Sequence, residues 1–267
     1  MAKPRVIIMS GYGLNCETET KYAFEKAGGK ATIVHVNDLI DGHFSLRDFQ
    51  ILAIPGGFSY GDDTGSGNAF AYKIKGKIWE DILKFVNRDT LTIGICNGFQ
   101  IIANLGLLPG FDKKYGQRKL ALVHNTSVRY TVRWVDLKTK NDSPWLNDID
   151  EMMLPIAHGE GNFYVTKQDL DKLKKSQQIA AVYTRGEICK YQNLAKNPNG
   201  SIGEVAAVTD ETGRILGIMP HPERAMFFTQ LPNWTDVKEK LKRSGKKIPE
   251  EGPGIKLFKN SINYFSI

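Results

Sequence analysis

The sequence has few cysteines and no long apolar run. Its three cysteines, Cys16, Cys96 and Cys189, are widely spaced, so we expect neither a disulfide framework nor the paired cysteines of a zinc site. No stretch approaches the roughly 20 apolar residues that a membrane-spanning helix needs. The apolar core of the first segment, residues 6–9, is too short for a secretory signal. These absences together favour a reducing compartment, and we expect a cytoplasmic protein.

Continuous blocks of one charge are also missing, although the net charge is +7. Residues 231–267 hold eight basic and four acidic residues, so much of the excess lies near the end of the chain. There the acidic residues are interspersed among the basic ones, as on a solvated surface. This pattern favours an ordinary charged surface over a nucleic-acid-binding patch.

Strands and helices alternate along the first hundred residues. Apolar runs predict strands at residues 5–10, 30–36, 49–55 and 91–96, and helical spacing predicts helices over 15–29 and 68–88. Such alternation is typical of right-handed crossovers and a parallel sheet. Residues 121–138 alternate with β-branched residues instead, which predicts antiparallel strands in the second half. With 41% hydrophobic residues, the chain can form one large core, and we expect a single domain over residues 1–267.

A cysteine lies where one predicted strand meets a helix. Residues 94–98 read G-x-C-x-G, the cysteine counterpart of the nucleophile elbow. Cys96 would then sit at a helix N-terminus, where backbone N–H groups and the helix dipole favour a reactive thiolate. The alternative interpretation is a small buried residue that fills space in the core.

A nucleophilic cysteine needs a base and a group that orients the base. The stretch "MPHPER" (219–224) offers His221 and Glu223, separated by one proline. Pro220 and Pro222 should hold this segment extended and stiff. Glu223 would then bind one imidazole nitrogen while the other nitrogen faces the cysteine. A histidine that is simply hydrogen-bonded within the core or a loop is the alternative.

Two consecutive glycines follow a third apolar strand. After "ILAIP", Gly56 and Gly57 would let the backbone turn an N–H toward a developing oxyanion. The N–H of Asn97, which follows Cys96, would be the second donor. An ordinary turn is the alternative, whereas a phosphate-binding loop fits poorly because neither G-x-G-x-x-G nor the P-loop lysine is present.

Together these motifs resemble those of class I glutamine amidotransferases. They are G-x-C-x-G-x-Q (94–100), PGG (55–57) and His-Pro-Glu (221–223). Longer strings resemble, more narrowly, the glutaminase subunits of phosphoribosylformylglycinamidine synthases. Those strings are "GFSYGDD", "ICNGFQII", "LVHNTS", "AHGEGNF", "NPNGS" and "MPHPER". The resemblance runs from residue 6 to about residue 228 and resumes in the final helix.

The resemblance implies a fold and a reaction. The fold would be α/β, a three-layer, open and mostly parallel sheet of flavodoxin type, flanked by helices, with some antiparallel strands in the second half. Cys96 would attack the side-chain amide of glutamine and form a thioester. His221 would move the proton to the leaving ammonia, and Glu223 would orient His221. Gly57 and Asn97 would form the oxyanion hole.

The resemblance also implies a glutamine-binding site. Gln100 would face the bound glutamine from the first turn of the helix, although an exposed helical residue is the alternative. The backbone of His158, Gly159 and Glu160, in "AHGEGNF", would hold the amino-acid end of glutamine. His158 itself could equally be structural.

Partners and cofactors follow from the same resemblance. The ammonia would pass to a large, ATP-dependent synthetase subunit, which converts formylglycinamide ribonucleotide to formylglycinamidine ribonucleotide in purine biosynthesis. A small accessory subunit is expected as well. ATP and magnesium would bind the synthetase, and we expect no metal or cofactor in this chain. Alternatives are a glutaminase serving a different synthetase and a Cys-elbow hydrolase of the same architecture. A non-enzymatic module is disfavoured because Cys96 and His221 are both present.

The region before the final helix departs from the family pattern. Residues 232–252 form a basic insert, in which Trp234, Val237 and Leu241 are spaced for a short helix that ends near Gly245. Apolar spacing then predicts a docking helix over about residues 254–266. The insert leaves the predicted chemistry untouched but could alter how a partner is met.

Overall fold

The computed structural model describes residues 3–265. The strands are β1 (Arg5–Ser10), β2 (Lys30–His35), β3 (Ile51–Ile54), β4 (Leu91–Ile95), β5 (Ala121–Val123), β6 (Thr131–Thr139), β7 (Glu151–His158), β8 (Asn162–Tyr164), β9 (Ile179–Thr184), β10 (Val205–Thr209) and β11 (Ile215–Ile218). The helices are α1 (Glu17–Lys26), α2 (Val36–Ile40), α3 (Asn68–Lys77), α4 (Trp79–Val86), α5 (Asn97–Leu105), α6 (Lys167–Lys175), α7 (Glu187–Gln192), α8 (Trp234–Arg243) and α9 (Ile255–Asn263).

Nine strands form one sheet in the order β2-β1-β3-β4-β11-β10-β9-β6-β7. The first five strands in this order pair in parallel with one another, and every pair from β11–β10 to β6–β7 is antiparallel. Strands β5 and β8 pair separately as a small antiparallel ribbon. The predicted α/β fold, with a mostly parallel sheet and antiparallel strands in the second half, is therefore confirmed.

The parallel strands are buried because helices cover them. Every residue of β3, β4 and β11 is buried, as expected for strands packed on both faces. Helix α1 packs against β1, β2 and α9, and its Phe24 meets Phe258 of α9 edge to face at 4.9 Å. Helix α5 packs against β3, β4 and β11. None of the described helices is long and apolar enough to cross a membrane.

The single helix predicted over residues 68–88 is two helices. Helix α3 ends at Lys77, and Ile78, with φ −132° and ψ 22°, leaves the helical conformation before α4 begins at Trp79. The side chain of Ile78 is buried. Gly76, the weak helix former in the predicted span, lies within α3 and not at the break.

The segment after residue 231 contains helix α8 and a returning strap. Helix α8 has no buried residue, whereas the strap is tied to the body by backbone hydrogen bonds. Gly252 N–H donates to Met226 O at 2.9 Å, and Phe228 N–H donates to Glu250 O at 3.1 Å. Helix α9 then docks through its apolar face. The predicted end of this helix, residue 266, lies outside the described residues.

Candidate active site

Cys96 occupies a strained turn between β4 and α5. Its backbone has φ 52° and ψ −107°, a conformation that residues other than glycine rarely adopt and that is common at active sites. The flanking glycines make this turn possible. A Cβ on Gly94 would lie 2.5 Å from Gly98 O, and a Cβ on Gly98 would overlap Ile54 O. The side chain of Cys96 is thereby held at the N-terminus of α5, where helix N–H groups favour negative charge.

Parallel pairing of β11 with β4 brings the His-Pro-Glu motif, residues 221–223, to the turn that carries Cys96. Ile218 pairs with Ile95, and Cys96 N–H donates to Ile218 O at 2.8 Å. The carboxyl ends of the two strands therefore lie side by side, and His221 follows directly. A Cβ on Gly56 would lie 2.8 Å from His221 Cε1 and 3.5 Å from Cys96 Cβ. The His221 imidazole and the Cys96 side chain therefore both lie next to Gly56.

His221 and Glu223 form a buried, short hydrogen bond. His221 Nδ1 and Glu223 Oε1 lie 2.5 Å apart, and both side chains are shielded from solvent. Burial alone would lower the pKa of His221, but the Glu223 carboxylate and the Cys96 sulfur raise it well above its usual value. The other ring nitrogen, Nε2, has no hydrogen-bond partner among residues 3–265. That nitrogen is available to exchange a proton with a reacting group.

The backbone from His221 to Glu223 differs from the extended segment that Pro220 and Pro222 predict. His221 is extended, but Pro222–Arg224 form a 3₁₀ turn. The fixed φ of Pro222 suits the first position of such a turn as well as it suits an extended chain. The turn, and not alternation along an extended strand, brings Glu223 back to the imidazole.

Gly57 and Asn97 carry the two N–H groups predicted for an oxyanion hole. The Gly56–Gly57 segment is held against the loop after β1, since Phe58 N–H donates to Gly13 O at 2.9 Å. Gly57 has φ 152°, and a Cβ there would overlap Gly13 O. Asn97 begins α5, so its N–H is one that a helix leaves unpaired. Within the described chain, neither N–H has an acceptor. The predicted hole stays a prediction that this geometry supports.

A cavity of about 180 Å³ opens beside Cys96. Its lining comes from the loop after β3, the start of α5 and the end of β7, and includes Gly57, Asp62, Ser66, Cys96, Gln100, Tyr130, His158, Gly159 and Glu160. Tyr130 OH donates to Ala157 O at 2.9 Å at this site. Cys96 is only 5% exposed, so a substrate must reach the sulfur through this cavity.

Gln100 is part of a buried polar chain and is not an exposed helical residue. Its side-chain oxygen accepts from Asn97 Nδ2 at 2.8 Å, and its Nε2 donates to Glu160 O at 2.5 Å. The side chain thus links the helix that follows Cys96 to the turn after β7. Gln100, Gly159 and Glu160 therefore border one cavity, and their binding of glutamine stays a prediction.

His158 has a structural contact. Its Nδ1 lies 3.1 Å from Asn125 Oδ1, and burial lowers the pKa of His158 to about 3. The imidazole is therefore neutral at physiological pH. The ring of His158 also borders the cavity. Its hydrogen bond to Asn125, however, links β7 to the loop after β5. Glutamine binding by the backbone of His158, Gly159 and Glu160 stays a prediction.

Comparison with known proteins identifies the family. The sequence matches the family model of the CobB/CobQ-like glutamine amidotransferase domain over residues 3–265. The chain belongs to this glutamine amidotransferase family. It is 48% identical to a phosphoribosylformylglycinamidine synthase subunit PurQ of Methanococcus maripaludis, over 98% of both chains. It is 39% identical to the PurQ subunit of Dehalococcoides mccartyi, over 99% of this chain and 98% of the relative.

Solved structures agree with this placement. The amidotransferase superposes on a chain of the PurLQS structure from Thermotoga maritima with a TM-score of 0.70 and 30% identity, covering 99% of this chain and 100% of the other. A glutamine amidotransferase from Thermotoga maritima shares the fold, with a TM-score of 0.52 and 13% identity, covering 100% of this chain and 94% of the other. The resemblance seen in the sequence motifs is therefore confirmed.

Two asparagines from the signature strings brace the amidotransferase site. Asn125, in "LVHNTS", accepts from Gly161 N–H at 3.1 Å and donates to His158 O at 2.8 Å. Asn199, in "NPNGS", donates to Gly161 O at 2.7 Å. Both strings therefore fix the turn that borders the cavity. The sequence identified the strings, but it assigned no role to either side chain.

Cys16 of the amidotransferase is a second buried thiol at the site, and the sequence motifs gave it no role. Arg224 Nη2 lies 2.9 Å from its sulfur, and the sulfur falls within 4.8 Å of the ring and carboxylate ligand atoms of His221 and Glu223. Burial raises the pKa of the Cys16 thiol. Glu223 Oε1 already bonds the imidazole, and the absence of a metal from this chain stays a prediction. Unlike Cys96, Cys16 does not line the cavity in the described structure.

Proposed function

We propose that this chain is the glutaminase subunit of phosphoribosylformylglycinamidine synthase, with Cys96, His221 and Glu223 as its catalytic residues. The carrying observation is that the Cys96 elbow meets the buried His221–Glu223 pair, with Cys96 lining a cavity that Gln100 also borders. Near full-length similarity to PurQ subunits supports the choice among amidotransferases.

The first half-reaction forms a thioester. Cys96 transfers its proton to Nε2 of His221, and the sulfur attacks the amide carbon of glutamine. The N–H groups of Gly57 and Asn97 stabilise the oxyanion of the tetrahedral intermediate. The C–N bond then breaks as His221 delivers the proton to the leaving nitrogen, which departs as ammonia. Glu223 keeps the imidazole oriented and favours its protonated form.

The second half-reaction restores the enzyme. His221 takes a proton from water, and the resulting hydroxide attacks the thioester carbon. The C–S bond breaks, the sulfur regains its proton and glutamate leaves. Each cycle thus converts glutamine and water to glutamate and ammonia without a cofactor in this subunit.

The ammonia has a specific destination in this proposal. It passes to a large synthetase subunit, where ATP and magnesium activate the formyl amide of formylglycinamide ribonucleotide. A small accessory subunit completes the complex, in keeping with the three-part name of the PurLQS structure. We expect the complex to act in the cytoplasm.

Reconstitution tests the choice of partner. The chain should release glutamate slowly by itself and faster when the synthetase and small subunit of the same organism are present with ATP and the ribonucleotide. A different amidotransferase-dependent synthetase, such as a GMP synthetase subunit, serves as the matched control and should give no acceleration. Equal acceleration by both partners, or acceleration by the control alone, would contradict the proposed function.

A further inference from the structure

The carbonyl of Gly56 accepts two hydrogen bonds from the loop after β1. Asn15 N–H donates to Gly56 O at 3.1 Å, and Cys16 N–H donates to the same oxygen at 3.2 Å. Both donors stand at the start of helix α1, where Cys16 is the N-cap residue. The start of this helix therefore fixes the direction in which the Gly56 carbonyl points.

Fixing this carbonyl also fixes the N–H at the other end of its peptide group. A peptide group is planar, and in the trans form its C=O and N–H point in opposite directions. The peptide that carries Gly56 O also carries the N–H of Gly57, one of the two predicted oxyanion donors, and this peptide is trans. Because Gly56 O points toward residues 15 and 16, the Gly57 N–H points away from them. Gly57 lines the cavity beside Cys96.

Close backbone contacts hold this peptide in place. Leu14 and Gly57 face each other in an isolated antiparallel bridge, and Phe58 N–H donates to Gly13 O at 2.9 Å. A Cβ on Gly13 would overlap Phe58 O, and a Cβ on Gly57 would lie 2.7 Å from Leu14 Cα. Only glycine permits so close an approach of two backbones. A peptide turned the other way would lose both hydrogen bonds to its carbonyl.

The side chain of Cys16 joins the same loop to the acid–base pair. Its sulfur lies 2.9 Å from Arg224 Nη2 and within 4.8 Å of ligand atoms of His221 and Glu223. A Cβ on Gly56 would lie 3.2 Å from Cys16 Sγ and 2.8 Å from His221 Cε1. Burial raises the pKa of this thiol, so it stays neutral at physiological pH. Cys16 thus holds the oxyanion peptide through its backbone and lies beside the imidazole through its side chain.

We propose that residues 13–16 position the oxyanion donor of this active site. The N–H groups of Asn15 and Cys16 aim the Gly57 N–H, and the Cys16 thiol keeps the segment aligned with His221. This inference rests on the proposed glutaminase function. A carbonyl that accepts hydrogen bonds polarises its peptide, which strengthens the N–H at the other end as a donor. Asn15 and Cys16 are positioning residues, since neither lines the cavity in the described structure.

A backbone ester tests this positioning because it removes one N–H and keeps every side chain. Residues 1–15 are synthesised with an ester in place of the amide between Leu14 and Asn15. They are then joined to recombinant residues 16–267 by ligation at Cys16, whose thiol that reaction requires. The matched control carries its ester at Gly13, whose N–H has no acceptor among residues 3–265. An all-amide chain joined in the same way is the reference, and each chain is assayed in the reconstituted complex.

The ester at Asn15 should lower the turnover of glutamine and spare its binding. The value of kcat should fall by roughly 10-fold, which is part of the 10²–10³ that loss of a whole oxyanion donor costs. KM should change by less than about threefold, because a donor to the oxyanion acts in the transition state. Alkylation of Cys96 by iodoacetamide should keep its rate, since a C–S bond forms as the C–I bond breaks and no oxyanion arises. The ester at Gly13 should change neither rate.

Side-chain variants test the contribution of the Cys16 thiol. Cys16→Ala should lower kcat by roughly 10-fold with little change in KM. Cys16→Ser keeps a polar group beside Arg224 and should restore most of the turnover. Cys189→Ala is the matched control, since Cys189 is another buried thiol and does not line the cavity in the described structure. A lower Tm with unchanged kcat in Cys16→Ala would show that the thiol serves only structure and would overturn its part in positioning.

Two results with the Asn15 ester would overturn the inference. Unchanged turnover would show that the hydrogen bonds to Gly56 O do not aim the Gly57 N–H. Equal losses of turnover and of iodoacetamide alkylation would show that the ester disturbs Cys96 itself. In both cases the all-amide chain still releases ammonia from glutamine, and the glutaminase function stands. An all-amide chain and a wild type that release no ammonia with the partners present would instead overturn the function, and the inference with it.

Discussion

Replacing Glu223 with glutamine tests whether His221 transfers the proton while the Glu223 carboxylate only orients and charges the imidazole. The change keeps the shape of a side chain that is fully buried but removes the charge 2.5 Å from His221 Nδ1. A hydrogen bond to a charged group contributes about 1.5–3 kcal/mol. Such a loss corresponds to a rate reduction of roughly 10- to 100-fold. Glu223→Gln should therefore be less harmful than His221→Ala, which removes the acid–base group and should cost on the order of 10²–10⁴.

The pH profile adds a readout that a merely structural role would not change. The Glu223 carboxylate helps to raise the pKa of His221. The alkaline limb of the kcat/KM profile reports loss of the imidazolium proton, so in Glu223→Gln this limb should move to lower pH. Glu19→Gln is the control, since Glu19 is a partly exposed acid 3.6 Å from Arg224, and it should leave rate and profile unchanged.

The His221–Glu223 pair should also make the free energy of unfolding depend on pH. A histidine whose folded pKa is raised contributes stability that is complete below its ordinary value of 6.5 and is lost as the pH rises through the raised value. The free energy of unfolding of wild type should therefore exceed that of Glu223→Gln most at and just below pH 6.5, with the difference shrinking as the pH rises into the alkaline range. Chemical denaturation over a pH series measures this. An alkaline limb that does not move, or a Glu223→Gln rate below that of His221→Ala, would refute the assigned roles.

Three further predictions concern the nucleophile, the oxyanion hole and the insert. The glutamine-mimicking electrophile 6-diazo-5-oxo-norleucine should label Cys96 and neither Cys16 nor Cys189, whose thiol pKa values are raised by burial; peptide mass spectrometry showing preferential labelling of Cys16 would contradict this. Gly57→Ala forces a Cβ onto Gly13 O and should lower turnover by roughly 10²–10³ through a misaimed donor, whereas unchanged turnover would exclude Gly57 from the hole. Replacing residues 234–247 with a Gly/Ser linker removes helix α8, which has no buried residue. Glutaminase activity should persist, and partner binding should weaken at most. Salt-sensitive binding of duplex DNA by wild type that vanishes in this variant would show that the insert binds nucleic acid.

Local pattern and burial made most of the parallel half predictable. Strands β1 to β4 are short apolar runs, and each predicted catalytic motif follows one of the parallel strands. The carboxyl ends of neighbouring parallel strands lie at one edge of a sheet, so motifs far apart in sequence could be expected to meet. The helix break at Ile78 was missed because no proline or glycine stands at that position, and the turn at Pro222 was missed because proline suits two conformations.

The rest of the site depends on contacts that no local pattern encodes. Ser66 bonds Glu160 across 94 positions of sequence, and Cys16 contacts Arg224 across 208. Asp62 lies in a string that indicated the family, yet nothing in the string shows that its carboxylate accepts a hydrogen bond from Asn97. Contacts between polar residues so far apart in sequence form only once the fold has positioned the loops that carry them, so the sequence alone does not predict them.

The most direct test of the central claim separates ammonia supply from ammonia use. Cys96→Ala is assembled with its synthetase and small subunit, and formation of the amidine product is measured with glutamine and with an ammonium salt. If Cys96 is the nucleophile, the glutamine-dependent reaction is abolished and the ammonium-dependent reaction persists, because the ATP-dependent step belongs to the other subunit. Loss of both reactions would show that Cys96 serves folding or assembly, and full activity with glutamine would remove it from the mechanism.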